Sequence, residues 1–139
     1  LTENGISHSD NRRGTSKARS VLRLIAAVAF IAAGANHFRN PGFYIRIIPP
    51  GFPSPQELVA ISGVAEIVGG LGLLIRSLRR AAGWGLIALL VAVFPANLYM
   101  ALEPKQFADL HWPAWVLWAR LPLQAVFVAW VWFVALAER

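Results

Sequence analysis

At 139 residues, 57% of them hydrophobic and with a mean hydropathy of +0.54, the chain is too apolar for an ordinary soluble domain and too short for several domains. It has no cysteine, which excludes disulfides, thiolate metal ligands and dithiol exchange by the chain itself. Its net charge of +6 comes from basic residues flanking apolar segments, which fits contact with anionic lipid headgroups and argues against a nucleic-acid partner.

Residues 1–20, rich in Ser, Asn, Arg and Gly, are expected to form a disordered basic tail. Four later stretches, 21–38, 58–75, 81–102 and 114–136, have the length of a membrane-spanning helix, roughly 17 to 25 residues. Hydrocarbon offers no partner to a free backbone group, so such segments must be helical. The expected fold is all-α: an integral membrane four-helix bundle over residues 21–139, with a Pro-rich extracytoplasmic connection between the first two helices. Arg12, Arg13, Lys17, Arg19 and Arg23 precede the first helix, and Arg76, Arg79 and Arg80 separate the second from the third. The opposite side holds Arg39, Arg46 and Lys105, so the positive-inside rule places both termini in the cytoplasm and the chain in the inner or plasma membrane.

The first segment is lined by Ala26, Ala27, Ala29, Ala32, Ala33, Gly34 and Ala35, which permit close helix approach. Ala33-Gly34-Ala35 has the form of a signal-peptidase site, but the long preceding tail and the domain-like sequence after it argue against cleavage. The segment closes on Asn36-His37-Phe38, where His37 either caps the last helical carbonyls or joins a site. The connection 39–57 carries Pro41, Pro49, Pro50, Pro53 and Pro55 among Phe43, Tyr44, Ile45, Ile47, Ile48 and Phe52. That mixture predicts a stiff cap on the outer helix ends, either an interfacial anchor or a lid.

In the second segment Ser62, Glu66, Gly69 and Gly70 share one helical face, and Glu66 lies about 13 Å from Glu57 along the axis, near mid-membrane. A carboxylate there costs roughly 2.5 to 3.5 kcal/mol unless it meets a proton, a cation or water. The third segment contains Pro95, which frees the carbonyl of Val91 and predicts a kink, with Asn97 placed to bond that carbonyl, His37 or a ligand. The fourth opens on the interfacial aromatics Trp112, Trp115 and Trp118. Arg120 follows about 9 Å inside Ala114, with Gln124 one turn further on the same face. Arginine keeps its proton, so it needs a counter-charge or a route to water, and Glu66 is a candidate partner. Trp130, Trp132 and Phe133 read as lipid-facing or belt residues.

By depth, His37, Glu66, Asn97, Tyr99, Arg120 and Gln124 gather in the middle and outer part of the domain, and these are the candidate ligand-binding residues. A polar pocket opening to the non-cytoplasmic side accounts for the asymmetry. The sequence contains no metal-ligand spacing, nucleotide loop or nucleophile triad, so it gives no support to a metal site, a hydrolase or a kinase.

One resemblance joins these pieces. His37-Phe38 with Pro41 and Tyr44, Ile48-Pro49-Pro50, Ser62-Gly63 with Glu66, Gly69-Gly70, Leu73-Leu74, Phe94-Pro95-Ala96-Asn97 and Arg120-Leu121-Pro122-Leu123-Gln124 occur in order between Val21 and Trp130. In this the chain resembles the DoxX-like branch of the DoxX/MauE family of four-helix bacterial and archaeal membrane proteins. Some members of that family are membrane subunits of a thiosulfate:quinone oxidoreductase, others assist maturation of an amine dehydrogenase, and others associate with antioxidant enzymes. The resemblance thus implies a redox-associated membrane subunit, with a redox or antioxidant protein as partner, and carries no catalytic residue over.

Three functions compete at this level. The first is a membrane subunit holding a quinone or similar small molecule in the polar pocket, with any enzyme activity belonging to a larger oxidoreductase. The second is a scaffold that docks a partner, with Glu66 and Arg120 clasping two helices. The third is a small transporter or channel, in which a homo-oligomer supplies the remaining helices.

Overall fold

The computed structural model describes residues 4–137, with side chains from Thr15 onward. Each apolar segment is a helix: α1 (Asn4–Arg39), α3 (Pro55–Leu74), α4 (Arg79–Leu102) and α5 (Ala114–Ala135). All four are long and apolar enough to cross a bilayer, and they pack as a bundle, so the protein is an all-α integral membrane protein. Outward faces carry apolar side chains such as Val28, Val68, Val91 and Val126, as lipid contact requires.

Two further elements lie between the long helices. The Pro-rich connection contains a short helix, α2 (Pro41–Ile47), and a 3-10 turn covers Pro104–Leu110 before α5. Proline lacks only the amide that the start of a helix leaves unpaired, so Pro41 opens α2 and Pro55 opens α3. Pro49 and Pro50 follow the α2 C-cap, Ile48. At its other side α1 takes in Asn4–Ser20, the stretch whose composition suggested a disordered tail; it contains no proline to stop a helix. The rest of that tail, residues 1–3, lies outside the described residues.

α1 packs on α3 through their smallest residues. A Cβ on Gly34 would lie 2.5 Å from the carbonyl oxygen of Gly63, and one on Gly70 would lie 2.8 Å from that of Ala27. Backbone approach of this kind gains dispersion contacts that larger side chains forbid. α4 and α5 form a second pair, and the two pairs meet tightly at the end where α4 begins. Ala26, Ala27, Phe30, Leu73, Leu86, Val131, Val134 and Ala135 are buried together there. Arg23, read from sequence as a flanking charge, is buried in this region and donates from Nε to the carbonyl of Val134 at 2.9 Å.

At the opposite end α2 and the 3-10 turn close the bundle with a second cluster of Ile47, Met100, Phe107 and Leu117. Arg46 joins the two elements by a bidentate pair to Asp109, both N–O distances 2.9 Å, with its guanidinium 5.0 Å from the Phe107 ring centre. The Arg46 hydrogen bonds hold the Asp109 carboxyl below the usual carboxylate range. A carboxyl depressed in this way contributes above its unfolded value and loses that contribution as pH falls through the folded one. The pair therefore persists through neutral pH and breaks only in acid. Both side chains are solvated, so Asp109→Asn is expected to speed amide exchange in α2 while leaving the global unfolding midpoint unchanged.

Candidate functional site

A cavity of about 650 Å³ lies between the two helix pairs, beyond the buried Ala26–Val134 cluster and beneath α2. Its volume is that of a small-molecule site. Aliphatic and aromatic side chains from all four long helices make most of the wall, and seven polar ones enter it: His37, Tyr44, Ser62, Glu66, Asn97, Arg120 and Gln124. These fall into two separate groups.

The α1–α3 group is centred on His37. Its Nδ1 lies 3.1 Å from the carbonyl of Val59 and 3.0 Å from Ser62 Oγ, and the Ser62 hydroxyl donates to the same carbonyl at 3.0 Å. A carbonyl only accepts, so Nδ1 carries the proton and the other ring nitrogen is set by default. Nε2 faces Glu66 Oε2 at 3.5 Å. Two lone pairs directed at each other repel, and a proton held on either group converts the contact to attraction. Among the described residues Glu66 Oε2 has no hydrogen-bond partner although it is buried. Tyr44 stacks on the imidazole with ring centres 3.7 Å apart, and its hydroxyl accepts from Asn36 Nδ2 at 3.0 Å.

The α4–α5 group is a directed chain of donors. Arg120 donates from Nε and Nη2 to Asn97 Oδ1 at 3.3 and 3.0 Å. Asn97 Nδ2 donates to Gln124 Oε1 at 2.9 Å, and Gln124 Nε2 donates to the carbonyl of Leu90. That carbonyl lies one residue before the one released by Pro95, at the point where the helical ladder is interrupted. The guanidinium is thus held by one neutral acceptor, Asn97 Oδ1, and among the described residues no carboxylate forms an ion pair with it.

Two expectations need correction. Glu66 and Arg120 do not clasp: Glu66 meets His37 across α1 and α3, while Arg120 is taken up by Asn97 across α4 and α5. Tyr99 is not on the cavity. It follows Asn97 by two residues, which turns it away from that face, and its hydroxyl donates to Gln106 while its ring meets Phe107 edge-on. The structure brings His37, Glu66, Asn97, Arg120 and Gln124 to one cavity and adds Tyr44 and Ser62. Ser62 is visible in the sequence as a face-mate of Glu66; Tyr44 has no such signal, because the prolines around it predict a stiff cap and not a helix. Trp130 also lines the wall in place of a purely lipid-facing role. No group of three or more His, Cys, Asp or Glu side chains suited to a metal comes together among the described residues.

No curated protein and no solved structure matches the chain. A family model described as a domain of unknown function, DUF8561, matches residues 26–135, the whole of the bundle around the cavity. The chain belongs to that DUF8561 family, and in this protein the matched residues form the four-helix membrane bundle.

Proposed function

We propose that the protein holds a quinone or a similar small amphipathic molecule in this cavity and serves as the membrane subunit of a redox system, with both termini in the cytoplasm. The observation that carries the reading is the pairing of two unlike polar groups on opposite sides of one apolar cavity. A quinone presents two carbonyl oxygens on opposite ring edges. Arg120, fixed by Asn97, supplies N–H donors to one oxygen, and the His37–Glu66 contact holds a transferable proton near the other. The apolar wall suits the ring. The resemblance to DoxX-like proteins, some of which serve quinone-linked oxidoreductases, supports the same assignment, and a redox or antioxidant protein is the expected partner.

The test is equilibrium binding of a benzoquinone to the full chain in phosphatidylcholine nanodiscs. Saturable binding is expected, weakened at least about tenfold, or about 1.4 kcal/mol, in Arg120→Gln. Glu66→Gln should keep the fold, because an amide N–H can face His37 Nε2 as the shared proton does. Absence of saturable binding, or equal affinity of the Arg120 variant, rejects the reading.

A further inference from the structure

We infer that the ligand of this cavity enters from the bilayer and lays an apolar tail in a groove on the lipid face of α3, an inference that rests on the cavity reading above. Six wall residues are exposed, and all are apolar: Ala29, Phe52, Leu58, Ile61, Ala92 and Leu123. The polar wall residues are buried or half-buried. A site filled from water presents polarity at its mouth, whereas here the mouth matches hydrocarbon and the polarity lies inside. The end nearest the aqueous phase is filled by Ile47, Met100, Phe107 and Leu117, all under 8% exposed. The pocket expected from sequence to open toward that side is therefore roofed there, and five of its six exposed wall residues stand on the long helices, with Phe52 on the connection after α2.

A second depression begins where the cavity ends. It is a shallow groove of about 430 Å³ lined by Ala60, Ile61, Val64, Ala65 and Val68, and Ile61 belongs to both. The two alanines leave a trough between the larger side chains, and from Ile61 to Val68 it runs about 10 Å along α3. Cavity and groove together offer a head site with two polar groups, joined through one exposed isoleucine to a wholly apolar track. The chemical class that fits is a ring with opposed oxygen acceptors and a hydrocarbon chain. A lipid tail gains no hydrophobic transfer on leaving the bilayer for such a track, so the attraction is close packing alone, and the head must provide the specificity.

A benzoquinone carrying a decyl chain that ends in a photoreactive diazirine tests this with the full chain in phosphatidylcholine nanodiscs. Its label is expected on residues 60–68 at least fivefold above that left by a phospholipid bearing the same diazirine, and excess tailless benzoquinone should remove it. Ala60→Phe, an exposed position that fills the trough, should cut this labelling at least fivefold while tailless binding stays unchanged. Saturable binding with the label on α1 or α5, or labelling that survives Ala60→Phe, overturns the groove and leaves the cavity reading standing. No saturable binding of the tailless head overturns both.

Discussion

Gly34→Ala is expected to destabilise the bundle by about 3 kcal/mol, the upper part of the range for overpacking a filled interior. The added methyl would stand 2.5 Å from the carbonyl oxygen of Gly63, 2.8 Å from Ile67 Cγ1 and 3.0 Å from Glu66 Cβ. Two of those atoms belong to the α3 backbone or its first side-chain atom, so neither can swing aside and α1 must retreat from α3. Retreat also separates His37 from Glu66, so loss of quinone binding should accompany loss of stability. Gly70→Ala, facing the Ala27 carbonyl at 2.8 Å, is expected to behave alike. Gly85 is the control: nothing lies within 4 Å of its added methyl, and alanine there should stabilise the helix by up to about 1 kcal/mol. Unfolding midpoints in detergent report the difference, and equal shifts for Gly34→Ala and Gly85→Ala would contradict the close α1–α3 seam.

Gln124→Leu is expected to cost about 2 kcal/mol while changing side-chain volume little. It strips the acceptor from Asn97 Nδ2, leaving that donor unpaired in a low-dielectric interior, and removes the second donor to the Leu90 carbonyl, which keeps its helical one. Asn97 then has no fixed orientation, and the guanidinium it holds loses its setting. Quinone affinity should therefore fall along with stability, although Gln124 need not touch the ligand. A double-mutant cycle between Arg120→Gln and Gln124→Leu measures this: coupling above about 0.5 kcal/mol is expected from residues in one hydrogen-bond network. Strict additivity in the binding free energies would show that Arg120 is oriented by something else.

The membrane helices were legible because hydropathy and length act along the chain: the limits of α3, α4 and α5 and the end of α1 fall within three residues of the expected ones, while α1 begins at Asn4, well ahead of residue 21. The depth of Glu66 and Arg120 was legible for the same reason. Their partners were not. Helical spacing fixes which face a residue occupies, but a contact across helices also depends on axial offset and rotation between two rods, and neither is written in one segment. Glu66 and Arg120 were matched by charge, yet the closest approach of α4 and α5 gives Arg120 the amide of Asn97 first. Tyr99 differs from these. Depth along the chain groups it with the polar residues, but its spacing from Asn97 sets it about 200° away around the helix. α2 was hidden because proline clusters signal loops, although Pro41 stands at the one place in a helix that tolerates it.

The helix pairs are locked directly near Leu73, Leu86 and Val134, whereas at the other end they are joined through α2 and the 3-10 turn, by Ile47, Met100, Phe107 and Leu117, so the bundle resembles tweezers with the fulcrum at one end and a clip at the other. Widening for a ligand is then expected to show at the clipped tips. Across the tips runs the exposed Arg46–Asp109 pair, one member following α1 and the other preceding α5. Strain gauges belong at the end of a lever. A distance label on these two positions should register an occupant of the cavity more sensitively than a label on any residue that touches it.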